Sequence, residues 1–133
     1  MADSAQDRQL EYYDQTAERY DDMHVLAGDE HYIALEYIVG LLNVVRATSV
    51  LDVGCGTGRG VRFLKERRPD LKVVGLEPSD ALRAEAEALG GEYVGGGGEQ
   101  LPFEDDSFDV VLATGIMHHL PDPAPVLAEM MRV

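Results

Sequence analysis

The 133-residue chain has one cysteine, Cys55, and 11 basic residues against 25 acids, with no apolar run long enough to cross a bilayer. Each shortage excludes something. A single cysteine rules out an intrachain disulfide, and beside four scattered histidines it makes a poor zinc site, so no metal is expected. The formal net charge of -14 repels phosphate backbones and anionic lipid surfaces. Neither a nucleic acid nor a membrane is therefore an expected partner, and a small neutral or cationic molecule is favoured. The densest basic stretch, "RGVRFLKERRPD", reads as the wet side of a short helix. The opening "MADSAQDRQLEYY" has neither a basic nor an apolar leader segment, which makes the cytoplasm the expected compartment. Internal repeats are missing too, and the tetraglycine at 95–98 is short enough to be a loop.

What is present is the composition of one globular domain, and a pattern that changes period along the chain. From Ser4 to about Asp22, Leu10, Tyr13, Ala17 and Tyr20 recur at helical spacing. Asp29 is placed to cap a second helix, in which Ile33, Tyr37, Ile38, Leu41, Leu42 and Val45 form an apolar stripe that ends near Arg46. Then "SVLDV" and "KVVGLE" read as β-branched strands around a helix that Pro69 stops. A further helix follows, with Ser79 as N-cap, Leu82, Ala86 and Leu89 on one side, and Gly90 at its C-terminal cap. "EYV" and "SFDVVLAT" supply two more strands, separated by "EQLPFEDD" where a full helix would be usual. The segment from Pro123 to Val133 closes the chain as a helix with Val126, Leu127, Met130 and Met131 inward. Alternating strands and helices predict an α/β, Rossmann-like fold: a parallel sheet with helices on both faces, in which ligands sit beyond the carboxyl ends of the strands. Residues 1–46 are expected to form a helical lid and 47–133 the core.

The chemistry concentrates in "VLDVGCGTGRG". A glycine loop between strand and helix brings backbone close to a ligand and aims helical N–H groups at it. The dinucleotide pattern G-x-G-x-x-G fails from either starting glycine, because Gly54, Gly56 and Gly58 are followed by Arg59, Gly60 and Val61. The phosphate-loop pattern fails as well, with no lysine before Lys65. Asp52 at the strand end would repel an anion and attract an ammonium group, so the ligand should be positively charged there.

"LDVGCGTGRG" resembles motif I of the class I methyltransferases that use S-adenosylmethionine, especially the small-molecule group of ubiquinone and menaquinone biosynthesis. Glu77 in "VVGLEPS" matches that family's ribose-binding acid, whose carboxylate has acceptor capacity for two hydroxyls. "EQLPFEDDSFDVVLATGIMHHLPDP" resembles the stretch around the family's fourth strand, and "YYDQTAERYDDM" its N-terminal lid. The resemblance implies that Asp52, Gly54, Cys55 and Gly56 border the methionine part of the cofactor and that Glu77 and Pro78 border the ribose. It places Gly98, Glu99, Gln100 and Leu101 near the adenine, and Thr114 with Gly115 at the sulfonium. Tyr20 joins the cofactor-binding set from the lid, with Tyr12 and Tyr13 toward the acceptor. His118 and His119 fall after the fourth strand and are candidates for a catalytic base. Packing and turn capping would also account for them. Cys55 is read as filling a small space, not as a nucleophile.

Two departures stand out. The family's adenine-contacting aspartate falls on Gly97, so that contact must come from backbone, from Glu99, or from nothing. The family also continues through three more strands, whereas only four are present here, in the expected order 3-2-1-4 with the fourth as an open edge. The expectation is either a fragment of a longer protein or a chain that completes its sheet by pairing this edge with a second copy. The expected activity is methyl transfer from S-adenosylmethionine to a small-molecule acceptor. The rival is a truncated, non-catalytic module that binds the cofactor or a protein, and a nicotinamide oxidoreductase fails the glycine count.

Overall fold

The computed structural model describes residues 5–17 and 30–133. Helix α1 (Ala5–Thr16) and helix α2 (Glu30–Val44) precede strand β1 (Ser49–Val53). Helix α3 (Arg59–Arg67), strand β2 (Lys72–Glu77), helix α4 (Asp80–Ala88), strand β3 (Glu92–Gly95), strand β4 (Val110–Leu112) and helix α5 (Ala124–Arg132) follow, with a 3₁₀ turn at Met117–His119 before α5. All pairings are parallel and the strand order is β3-β2-β1-β4, as the sequence led one to expect.

The inner strands β1 and β2 are buried on both faces, which is why they read as continuous apolar runs instead of alternating ones. One face carries Val50 and Val73 against Leu42 of α2 and Val61 and Leu64 of α3. The other carries Leu51, Val53, Val74 and Leu76 with Leu101, Val133 and the half-buried Met130. In register, Val53 lies opposite Leu76 and Glu77 opposite Gly95, so three carboxyl ends finish level and their loops meet at one end.

Three polar ties hold the connections. Arg68 donates to Asn43 Oδ1 at 2.6 Å and to the Ala47 carbonyl at 3.3 Å, joining α2 to the end of α3. Asp109 accepts from the backbone of Thr48 and Ser49 at 2.7 and 3.1 Å, which fixes the start of β4 beside that of β1. Arg132 donates to the Phe103 and Leu101 carbonyls at 2.9 and 3.1 Å, and so ties the irregular segment before β4 to α5.

Several expected burials are corrected. In α2, Leu35 and Leu42 are buried and Ile38 is half-buried, but Ile33, Tyr37, Leu41 and Val45 are exposed, Tyr37 by 74%. The helix covers the sheet with a narrow face, and nothing among the described residues covers its outer side. Leu89 is exposed because α4 ends at Ala88 and the chain turns there, with Gly90 at φ 93° as expected of a cap. In α5, Val126 is fully buried and Met130 half-buried, whereas Leu127 and Met131 face out, Met131 by 88%. Strand β4 is only three residues long. The expected cap Asp29 and the continuation of the first helix to Asp22 lie outside the described residues.

Candidate functional site

The turn after β1 continues the sheet's hydrogen bonding for two more residues. Gly54 and Cys55 both donate backbone N–H to the Leu76 carbonyl, at 2.8 and 3.0 Å. The chain then passes through Gly54, Gly56 and Gly58 at φ 72°, 57° and 77°, a left-handed run that side-chain-bearing residues resist. Space enforces the same choice at the two outer positions. A Cβ on Gly54 would lie 2.1 Å from Ile116 Cγ2, and one on Gly58 would lie 2.2 Å from the Tyr93 hydroxyl. The Tyr93 side chain also abuts Gly75 and Gly91, where an added Cβ would lie 2.7 Å from its Cδ1 and 2.7 Å from its hydroxyl respectively.

Two buried acids face this turn. Asp52 is 4% exposed, and its Oδ1 is the buried side-chain oxygen or nitrogen without a hydrogen-bond partner among the described residues. Burial first, and the Glu77 charge second, push its carboxyl up to about 7. Glu77 is held by two backbone donors, Gly56 N–H on Oε2 and Ser79 N–H on Oε1, both at 2.9 Å. Burial raises its pKa as well, and those two hydrogen bonds oppose the rise. A buried carboxylate with an orphaned oxygen beside a second acid calls for a cation or a proton donor. The Cys55 thiol is also pushed up, mainly by burial and then by Asp52 and Glu77. It therefore stays a thiol at neutral pH, packed where a Gly75 Cβ would come within 2.6 Å of its sulfur.

Above the turn lies a cavity of about 550 Å³, within the range of small-molecule sites. Of the residues singled out in the sequence, Asp52, Gly54, Cys55 and Gly56 line its floor, and Glu77 and Pro78 one wall. Gly98, Glu99, Thr114, His118 and His119 line the remainder. Gln100 does not line it, and Tyr20 lies outside the described residues. At Gly97 a Cβ would sit 2.8 Å from Glu99 Oε2, so the Glu99 carboxylate fills the space that a side chain at 97 would have taken.

Helix α1 closes the cavity with Gln9, Leu10, Tyr12 and Tyr13. It is tied down at both ends of the site. Ser79 Oγ donates to Asp14 Oδ1 at 2.8 Å while accepting the Leu82 N–H at 3.2 Å, so one hydroxyl caps α4 and anchors α1. Tyr13 Oη lies 3.4 Å from His119 Nε2. Sequence reasoning missed Asp14 and His31. His31 lines the cavity from the first turn of α2, with Cε1 3.4 Å from the position of a Gly115 Cβ. Asp14 stands within the quoted lid segment but with no role of its own there, and His31 stands in no quoted motif, so it is the fold that shows what each touches.

Comparison with known proteins agrees with this geometry. Residues 51–133 match the family described as methyltransferase domain. The demethylmenaquinone methyltransferase of Thermotoga maritima is 32% identical over 127 residues, which cover 93% of this chain and 56% of that protein. The chain thus spans little more than half the length of this relative. Among solved structures, a SAM-dependent methyltransferase of Thermotoga maritima superposes with a TM-score of 0.65 at 25% identity, over 92% of this chain and 55% of that one. The plantazolicin methyltransferase BpumL, solved with SAH, shares the fold at a TM-score of 0.73 and 16% identity, over 95% of this chain and 48% of its own. On the match over 51–133, with its glycine turn and the strand that carries Asp52, the chain belongs to the methyltransferase domain family.

Proposed function

We propose that the cavity binds S-adenosylmethionine and that the chain directs its methyl group to an uncharged small-molecule acceptor. The observation that carries this reading is Asp52, a buried carboxylate with an orphaned oxygen under a loop of left-handed glycines. That donor set fits the group. Asp52 would take the ammonium of the methionine part, and Glu77, fixed by its two backbone donors, would take the ribose hydroxyls. Glu99 would serve the adenine edge in place of the missing side chain at Gly97, with Thr114 and Gly115 at the sulfonium.

The cofactor supplies an activated methyl group on a good leaving group. What remains for the protein is orientation and exclusion of water, a contribution of up to roughly 7 to 11 kcal/mol. The glycine turn lets backbone approach closely, and α1 roofs the site with Leu10 and Tyr12. Ile116 and Leu120 add apolar wall on the acceptor side. The name of the Thermotoga relative suggests a quinone, or its reduced form, as the acceptor class, and an apolar wall with aromatic rings suits such a ring.

Calorimetric titration of the 133-residue chain with S-adenosylhomocysteine and with NAD tests the cofactor reading. Micromolar binding of the first alone is expected, and it should be lost in Asp52→Asn. Binding of NAD instead, or a folded chain that binds neither, would overturn it.

A further inference from the structure

We propose that Tyr13 and His119 form a general-base dyad, in which Tyr13 Oη takes the acceptor's proton while passing its own to His119 Nε2. The inference rests on the methyl-transfer reading above. Its ground is a run of polar contacts from Gln9 through Tyr13 to His119 among residues that line the cavity. Gln9 Nε2, an amide donor, gives its hydrogen to Tyr13 Oη at 2.7 Å. Tyr13 Oη also lies 3.4 Å from His119 Nε2, with the two rings edge to face at 6.5 Å, and the dyad requires the phenol to donate and the imidazole to accept across this contact. This long contact is of the kind that tightens when a substrate is bound. All three residues line the cavity.

An imidazole that accepts at Nε2 carries its proton on Nδ1 and is neutral, which is the state a base requires. Two features keep it so: partial burial lowers the pKa of His119, and the ring of His118 lies 3.8 Å away and adds to the effect. Tyr12, its ring 5.8 Å from that of Tyr13, adds another ionisable group from α1, and His31, Arg59, Glu99, Asp52 and Glu77 line the same cavity.

The step balances. The acceptor O–H bond breaks and its proton goes to Tyr13 Oη as the Tyr13 proton moves to Nε2. The acceptor's freed electron pair forms the bond to the methyl carbon, and the pair of the broken carbon–sulfur bond stays on sulfur. His119 is left as imidazolium and, being exposed, returns the proton to solvent. The acceptor class is thus an uncharged aromatic alcohol, whose hydroxyl is acidic enough to yield its proton to this pair.

The test combines ¹⁵N NMR of the histidine rings with turnover of 1,4-naphthohydroquinone, using the full chain and its Tyr13→Phe and His119→Gln variants. In the unsubstituted chain His119 should carry its proton on Nδ1, and Tyr13→Phe should abolish that preference and raise the imidazole pKa. Both variants should bind S-adenosylhomocysteine as before, yet lose about 100-fold in kcat, with the acidic limb of the pH profile shifted in the first and gone in the second. An unchanged tautomer in Tyr13→Phe, or undiminished turnover in either variant, would overturn the dyad. So would a chain that binds S-adenosylhomocysteine but leaves the naphthohydroquinone unmethylated, with the cofactor reading still standing. A chain that binds no S-adenosylhomocysteine would remove both.

Discussion

The Cβ that Gly60 lacks would lie 2.7 Å from Asp52 Oδ2. Gly60 sits within α3, where a glycine is ordinarily a cost of roughly 0.5 to 1 kcal/mol relative to alanine. The residue is there to leave room for the acid beneath it. Gly60→Ala should therefore bring helix propensity and site geometry into conflict. We expect weaker binding of S-adenosylhomocysteine by at least tenfold in calorimetry, with the far-ultraviolet dichroism unchanged. Full affinity would mean that the Asp52 carboxylate can shift without loss.

Asp52 also makes stability depend on pH. Its folded-state pKa of about 7 stands above the ordinary carboxylate value of 3.8, so the folded chain holds a proton that the unfolded chain has released. Stability from this group is greatest below pH 4 and falls as pH rises toward 7, by up to roughly 4 kcal/mol. Glu77, raised as well, acts in the same direction. Asp52→Asn should flatten the dependence of Tm on pH over that window. Binding of a cationic ligand should draw the proton off, which calorimetry in two buffers of different ionisation enthalpy would register as proton release.

Restoring the family's aspartate by Gly97→Asp should fail to strengthen cofactor binding. The new side chain would start 2.8 Å from Glu99 Oε2, and two carboxylates there repel while Glu99 swings away. Glu99→Ala in the natural background should weaken binding of S-adenosylhomocysteine by roughly 10- to 100-fold, equivalent to losing a hydrogen bond to a charged acceptor. The double change should recover what each single change loses. Tighter binding by Gly97→Asp alone would show that Glu99 plays no part.

Ser79 separates two effects in one residue. Ser79→Ala removes the cap of α4 and the anchor of α1 together, whereas Asp14→Ala removes only the anchor. The first should lower stability by about 1 kcal/mol and the second by less. Both should speed proteolysis within residues 5–16 to a similar extent. Equal stability losses would place the energy in the Asp14 contact and not in the cap.

Strand β4 pairs with β1 and leaves its other edge open among the described residues, and Tyr37, Leu41, Leu127 and Met131 are exposed apolar side chains elsewhere on the surface. We expect the purified chain to self-associate through this edge, with the mass from light scattering rising with concentration and falling back on a proline substitution at Val111. A monomer at all concentrations would show that the edge is protected in another way.

The alternation of strands and helices, the strand order and the glycine turn were legible because each depends on local sequence: β-branched runs, a stop at Pro69, a cap at Ser79. The resemblance in "LDVGCGTGRG" and "VVGLEPS" brought Asp52 and Glu77 into view before any geometry did. Burial was less legible. Periodicity shows that Leu41 and Tyr37 share a stripe with Leu42, but not how wide a face the sheet offers, and here it is too narrow to cover them. Asp14 and His31 were invisible for another reason. Their roles arise from contacts with Ser79 and beside Gly115, at sequence separations over which no spacing rule operates.

The Tyr93 ring fills the space beside three glycines at once: Gly58, Gly75 and Gly91. These positions are therefore not independent as the sequence changes over generations. At Gly75, whose backbone is ordinary β, a side chain becomes admissible only after both Tyr93 and Cys55 have become smaller. The order of substitutions matters more than their identity, and a library that varies Gly75 alone will return almost nothing that folds.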